Sequence, residues 1–207
     1  MSLGGLLVDF GGVLTSDVFA SFEAFCRSEG LAPDAVKERF MGDPEARQLL
    51  FDLELGTITE PEFEPRFAAV LGLEASSEGL IDRLFAGMAP DEAMLAGVAA
   101  AKRAGIRTGL LSNSWGKGRY DRSSFDELFD AVVISGEEGI RKPDPEIYAL
   151  AVRRVGLPAD RCVFVDDLPG NLKPARAMGI TTVLHRGEAA DTLAELEGLF
   201  GLSLSLR

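Results

Sequence analysis

Four short stretches of this chain carry residue types that can handle an anion or a metal ion. They are Asp9-Phe10-Gly11-Gly12-Val13, Ser112-Asn113-Ser114, Arg141-Lys142-Pro143-Asp144-Pro145 and Asp166-Asp167-Leu168-Pro169-Gly170-Asn171. An aspartate carboxylate can attack as a nucleophile or ligate a metal, and a lysine ammonium can neutralise developing negative charge. A serine hydroxyl or an amide can hold an anionic oxygen. Side-by-side carboxylates such as Asp166 and Asp167 repel each other and call for a cation. Each stretch also has a plain structural use: Ser112 as a helix N-cap, Lys142 as a solvated charge, Asp9 as a turn cap. The joint pattern, in chain order, points to one site.

Each stretch stands just after an apolar run or in the loop that follows one. The runs are Leu6–Phe10, Arg107–Leu111, Ala131–Ile134, Cys162–Val165 and Thr181–Leu184. They are continuous rather than alternating, which predicts buried parallel strands. Between the later runs lie helical patterns over Asp91–Ala104, Pro145–Val155, Gly170–Met178 and Ala189–Phe200, most of them followed by glycine. This rhythm predicts an α/β fold, a doubly wound, Rossmann-like parallel sheet. In such sheets ligands bind beyond the carboxyl ends of the strands, at the topological switch point. Every run but the last ends in, or soon reaches, polar groups suited to that task.

Residues 16–88 read differently. Val18, Phe19, Phe22, Phe25 and Cys26 form one helical stripe, Leu49, Leu50, Leu53 and Leu55 a second, Phe63, Phe67, Val70 and Leu71 a third, and Leu80, Ile81, Leu84 and Phe85 a fourth. Thr59-Glu60-Pro61-Glu62 has the form of a capping box with proline in the first turn. The expected organisation is a core of residues 1–15 plus 89–207, with an inserted small helical cap over 16–88.

Composition narrows the function. With 207 residues and 46% hydrophobic content, the chain can bury a sizeable core. Its net charge of −12 argues against a nucleic-acid partner, which a basic patch would serve. Cys26 and Cys162 are the two cysteines and lack metal or disulfide spacing, so reduced, buried thiols are expected. His185 is the single histidine and reads as an ordinary surface or strand-end residue, which makes histidine-based acid–base catalysis a poor fit. No apolar run is long enough to span a bilayer, and no basic segment followed by an apolar stretch opens the chain. The expectations are no membrane association, cytoplasmic residence and a monomer or homodimer.

The four stretches resemble the four motifs of the haloacid dehalogenase superfamily of aspartate-nucleophile hydrolases. The likeness covers nearly the whole chain, and residues 16–88 resemble that family's small helical cap. Ser112-Asn113-Ser114-Trp115 and the stretch from Asp166 to Arg176 are similar to the N-terminal phosphatase domain of soluble epoxide hydrolase and its relatives. The resemblance implies a small-molecule phosphorylated substrate and a Mg²⁺ cofactor. Asp9 would be the nucleophile that takes the phosphoryl group. The metal would be held by Asp9, the backbone carbonyl of Gly11 and Asp166. Ser112 and the amide of Asn113 would bind phosphate oxygens, Lys142 would neutralise charge, and Asp167 and Asn171 would orient Lys142 or the metal's waters.

One position departs from the family pattern. Phosphatases of this family usually carry a second aspartate two residues after the nucleophile, as leaving-group acid and water-activating base. Here that position is Gly11. Three readings follow. One is a phosphatase lacking the built-in acid and preferring good leaving groups, such as anomeric sugar, acyl or aryl phosphates. A second is a 2-haloacid dehalogenase, whose halide needs no proton. The third is a non-catalytic metabolite- or partner-binding protein that kept the fold. Trp115 reads equally as an entrance-lining or a core residue.

Overall fold

The apolar runs become the strands of one parallel sheet in the computed structural model, which describes residues 2–73, 77–116 and 119–204. The strands are β1 (Gly5–Val8), β2 (Arg107–Ser112), β3 (Ala131–Ile134), β4 (Cys162–Asp166) and β5 (Thr181–Leu184), in the order β3-β2-β1-β4-β5. Between β1 and β2 lie α1 (Val18–Ser28), α2 (Ala35–Gly42), α3 (Pro44–Glu54), α4 (Glu60–Leu71), α5 (Leu80–Leu84) and α6 (Glu92–Arg103). Later come α7 (Phe125–Leu128), α8 (Ser135–Glu138), α9 (Pro145–Val155), α10 (Pro169–Ala177) and α11 (Ala189–Phe200).

Both faces of the sheet are covered, which is why the strand sequences look uniformly apolar. Leu6, Val8, Val163 and Val165 face one way, against Met94 and Val98 of α6 and Leu193 and Leu196 of α11. Leu7, Leu111 and Phe164 face the other, against Ile147, Tyr148 and Val155 of α9 and Leu172 of α10. The chain moves from β1 through β2 to β3, then returns to the opposite side of β1 for β4. That reversal opens a crevice beyond the carboxyl ends of β1 and β4. Val8 pairs with Val165, so Asp9 and Asp166 come next to each other on neighbouring strands.

The helices from α1 to α5 bury a cluster of their own. It contains Phe22, Phe25, Leu49, Leu53, Phe63, Phe67, Leu80 and Leu84, with Trp115 packed against it from outside the segment. The Thr59 capping box forms as expected: the Thr59 N–H donates to Glu62 Oε2 at 2.7 Å. The stretches that enter and leave this segment run together. Ser16 N donates to the Ala89 carbonyl at 2.8 Å, and Asp91 N to the Leu14 carbonyl at 2.9 Å.

Some local expectations shift. β1 stops at Val8, so Asp9 and Phe10 already belong to the loop, whereas β2 and β4 extend one residue further to include Ser112 and Asp166. The sequence pattern shows no separate stripe for α2, because Val36 is its only buried residue. His185 stands at the end of β5, the second of its two expected placements, and is buried. Its Nδ1 lies 2.8 Å from the Thr192 hydroxyl of α11, and its backbone N–H donates to the Asp166 carbonyl at 3.1 Å. Cys26 and Cys162 are buried and free. Among the described residues no helix is long and apolar enough to cross a membrane.

Candidate active site

The loop after β1 must turn away sharply while holding a carboxylate at the crevice, and its glycines allow this. Gly12 has φ 73°, in the left-handed region that disfavours residues with a Cβ. A Cβ there would lie 2.5 Å from Asp167 Oδ2, so the bare backbone is what lets the β1 and β4 loops pack together. Gly12 N donates to the Thr15 hydroxyl at 3.1 Å. The Asp9 carboxylate is held at both oxygens: Oδ1 accepts from Phe10 N at 2.7 Å, and Oδ2 lies 2.8 Å from Lys142 Nζ.

Lys142 is the centre of the arrangement. It is 1% exposed, and its ammonium also donates to Asp166 Oδ2 at 2.7 Å, bridging the two acids. Asn113 grips its backbone: Lys142 N donates to Asn113 Oδ1 at 2.8 Å, and Asn113 Nδ2 donates to the Lys142 carbonyl at 3.0 Å. Asp166 is itself fixed by the Asn171 amide, which donates to both its oxygens at 3.0 and 3.1 Å, and by Leu168 N at 2.8 Å. Asn171 thus orients Asp166, and no hydrogen bond among the described residues joins Asn171 or Asp167 to Lys142. Lys142 is held by Asn113, Asp9 and Asp166, so of the two roles expected for Asp167 and Asn171 the geometry leaves the orienting of the metal's waters. The reason is reach: Lys142 enters from the β3 side, where Asn113 follows β2.

The charges do not balance. Asp9, Asp166 and Asp167 each offer a carboxylate oxygen, and these lie within 4.8 Å of one another, facing a single buried ammonium. Burial, with repulsion from Asp166 and Asp167, pushes the Asp9 carboxyl up to about 8 despite Lys142. Burial and Asp166 push Asp167 up to about 6. For Lys142, burial works against its charge, but Asp166 and Asp9 together outweigh it and hold the ammonium protonated. An all-oxygen, anionic donor set short of positive charge fits a hard divalent cation.

A cavity of about 410 Å³ opens onto this group, and Gly11, Ser112, Asn113, Asp167 and Asn171 line it with Asp9 and Lys142. All the sequence-predicted site residues are therefore on or beside one cavity. Three further residues join them. The Tyr120 hydroxyl donates to Ser112 Oγ at 2.9 Å, and its ring packs edge-on against Phe10 at 4.9 Å. Glu54, at the end of α3, is buried and pairs with Arg141 Nε at 2.5 Å, while its backbone carbonyl accepts from the Ser135 hydroxyl. Arg141 also stacks over Phe51 at 3.8 Å. Burial raises the Glu54 carboxyl and the Arg141 guanidinium opposes it. Tyr120 has no sequence signal, whereas Glu54 has one, an acid within an apolar stripe.

Comparison with known proteins places this geometry. Residues 4–179 match the family model of haloacid dehalogenase-like hydrolases. The chain belongs to this family. Among individual members, rat (Rattus norvegicus) bifunctional epoxide hydrolase 2 is 35% identical over 115 residues, which are 52% of this chain but 21% of that longer protein. A phosphatase of Mycobacterium tuberculosis is 28% identical over 193 residues, covering 89% of this chain and 88% of that one. A haloacid dehalogenase family enzyme of Bacteroides thetaiotaomicron, solved with magnesium and inorganic phosphate, superposes with a TM-score of 0.67 at 24% identity, over 90% of this chain and 96% of that one.

Two expectations test the supporting structure. Gly12→Ala should destabilise the family fold by about 1–2 kcal/mol for the left-handed backbone alone, and more for displacing Asp167, as read by urea denaturation. Arg141→Met should strand the buried Glu54 charge and destabilise by about 3 kcal/mol. Adding Glu54→Gln should restore part of that loss. A double variant whose loss equals the sum of the losses of Arg141→Met and Glu54→Gln alone would show that the pair is not coupled.

Proposed function

We propose that this hydrolase is a magnesium-dependent phosphatase of small-molecule monoesters that works through an aspartyl-phosphate on Asp9. The observation that carries this reading is the Lys142 ammonium, buried between Asp9 and Asp166 with a third carboxylate beside them. Displacing a halide without a metal could use Asp9 and Lys142 but has no use for paired carboxylates at Asp166 and Asp167. The magnesium and phosphate bound by the Bacteroides relative, and the phosphatase from Mycobacterium, support it.

The chemistry is an in-line displacement. An Asp9 oxygen attacks phosphorus, the bond to the ester oxygen breaks, and that oxygen departs with its electron pair. Water then attacks the aspartyl-phosphate, releasing inorganic phosphate and restoring the carboxylate. The Ser112 hydroxyl and the Asn113 amide hold phosphoryl oxygens, while Lys142 offsets their charge. Tyr120 donates to Ser112 Oγ, and the Ser112 proton, which makes only a long 3.4 Å bond to the Asn113 carbonyl, can turn to the phosphate. Asp9, the Gly11 carbonyl and Asp166 would hold the magnesium, which supplies charge neutralisation between the nucleophile and the anionic phosphoryl group. Asn171 keeps Asp166 in place, and Asp167 adds to the negative potential there.

Gly11 gives this enzyme no carboxylate to protonate the leaving group, so it favours esters whose oxygen departs unprotonated. Turnover of such esters should vanish in EDTA and with Asp9→Asn, with deamidation excluded by mass spectrometry. Activity that survives Asp9→Asn would end this reading. The missing acid is testable in the same assay. A Cβ at Gly11 meets only Val18 Cγ2, at 3.1 Å, and the residue is not in the left-handed region. Gly11→Asp combined with Val18→Ala should therefore be accommodated, and should raise kcat on alkyl phosphates by about 10²-fold or more.

A further inference from the structure

The far wall of the catalytic cavity has a chemistry that phosphate does not use. At about 410 Å³ the space far exceeds a phosphate and falls in the range, about 300–1,000 Å³, of pockets that enclose drug-sized ligands. Trp115 follows the phosphate-binding strand end and reaches into the helical segment, where its ring meets Phe22 at 5.5 Å, Phe40 at 5.7 Å and Phe85 at 5.0 Å between centroids. All four rings line the cavity. The guanidinium groups on the wall are already engaged: Arg141 by Glu54, and Arg119 by Glu60 and Asp82. Lys37 lies at the mouth, over the Phe19 ring at 5.4 Å.

The mouth continues the same character. Among the described residues the exposed large apolar side chains are Phe19, Met41 and Leu168, and all three border this cavity. An apolar surface left open to water at a cavity entrance marks a ligand path. A polyol would leave its hydroxyls without partners against these rings, which costs affinity.

We propose that the leaving group is a bulky phenol, so that the substrate is an aryl phosphate with a fused or extended ring system seated against Trp115 and its three phenylalanines. This rests on reading the site as a phosphomonoester hydrolase. Two independent features select this class. The wall favours flat aromatic groups through edge and stacking contacts. Gly11 favours an oxygen that leaves without a proton: a phenol ionises near 10, about the tyrosine value, whereas an alkoxide is far more basic. Asp9 takes the phosphoryl group, the P–O(aryl) bond breaks, and the aryl oxide leaves with the electron pair and is protonated by solvent. Water then cleaves the aspartyl-phosphate to inorganic phosphate.

The test compares initial rates with magnesium on acetyl, phenyl, naphthyl and decyl phosphates and an anomeric sugar phosphate. Acetyl phosphate is small with a good leaving group, and so reports on the catalytic machinery alone. Naphthyl phosphate is expected to exceed phenyl phosphate by about tenfold or more in kcat/KM, mostly through KM. Decyl phosphate is expected to compete without appreciable turnover. Phe19→Ser and Leu168→Ser alter exposed side chains at the mouth and should each shrink the naphthyl-to-phenyl ratio. Equal rates on phenyl and naphthyl phosphates, a ratio unmoved by both variants, preference for the sugar phosphate, or decyl turnover matching naphthyl would each overturn the aryl assignment. Hydrolysis of acetyl phosphate in those cases would leave the phosphatase reading standing. Inertness toward acetyl, phenyl and naphthyl phosphates alike would overturn both.

Discussion

A single ammonium group, buried between two carboxylates, is the constraint around which the rest of the structure is arranged. Taking Lys142 out of water is favourable only because Asp9 and Asp166 meet it at 2.8 and 2.7 Å. Those acids can stand together only because their strands are neighbours in parallel register. The strand order therefore does electrostatic work: reversing direction after β3 brings β4 beside β1 and closes a polar cluster at the sheet's carboxyl edge. Asn113 and Asn171 complete it from either side, one gripping the Lys142 backbone, the other both oxygens of Asp166. Removing any member leaves a buried charge or polar atom unmatched, so the group is held as a unit.

The helical segment joined to that core sets what the charged cluster can meet. Glu54 and Phe51 reach across to Arg141, next to Lys142 in the chain, while Trp115 reaches the other way into the segment's aromatic cluster. The cavity is thus lined by charged groups on one side and aromatic rings on the other, and Gly11 is part of its lining. A glycine there leaves room, is compatible with a metal-facing carbonyl and supplies no proton. Leaving-group chemistry and pocket chemistry point the same way, although they arise from different parts of the chain.

Much of this is legible in the sequence, for reasons that differ by element. Leu6–Val8, Arg107–Leu111 and Cys162–Val165 announce strands because a sheet covered on both faces needs unbroken apolar runs. Asp9, Ser112 and Asp166 stand out because polar residues ending such runs must face the crevice. Helix α2 is faint because a single buried residue makes no stripe. Tyr120 is illegible, since a lone tyrosine in an irregular loop carries no periodicity that aims its hydroxyl at Ser112. Glu54 is half legible: an acid in a leucine stripe invites a partner but does not name one 87 residues away. His185 reads as a residue at a strand end, and its burial depends on α11 folding over β5.

The sequence by itself determined the sheet-and-helix rhythm, the kinds of group at each strand end, the family and the absence of a carboxylate at Gly11. These are written in adjacent residues, where periodicity and local turn chemistry act. Tertiary structure alone decided that Asn113 grips the Lys142 backbone, that the Asn171 amide bonds Asp166, and that Trp115 lines a cavity as well as packing in a cluster. Those outcomes depend on which strands become neighbours and how far a side chain reaches across them. Distances between residues far apart in the chain are fixed only when the whole core is packed.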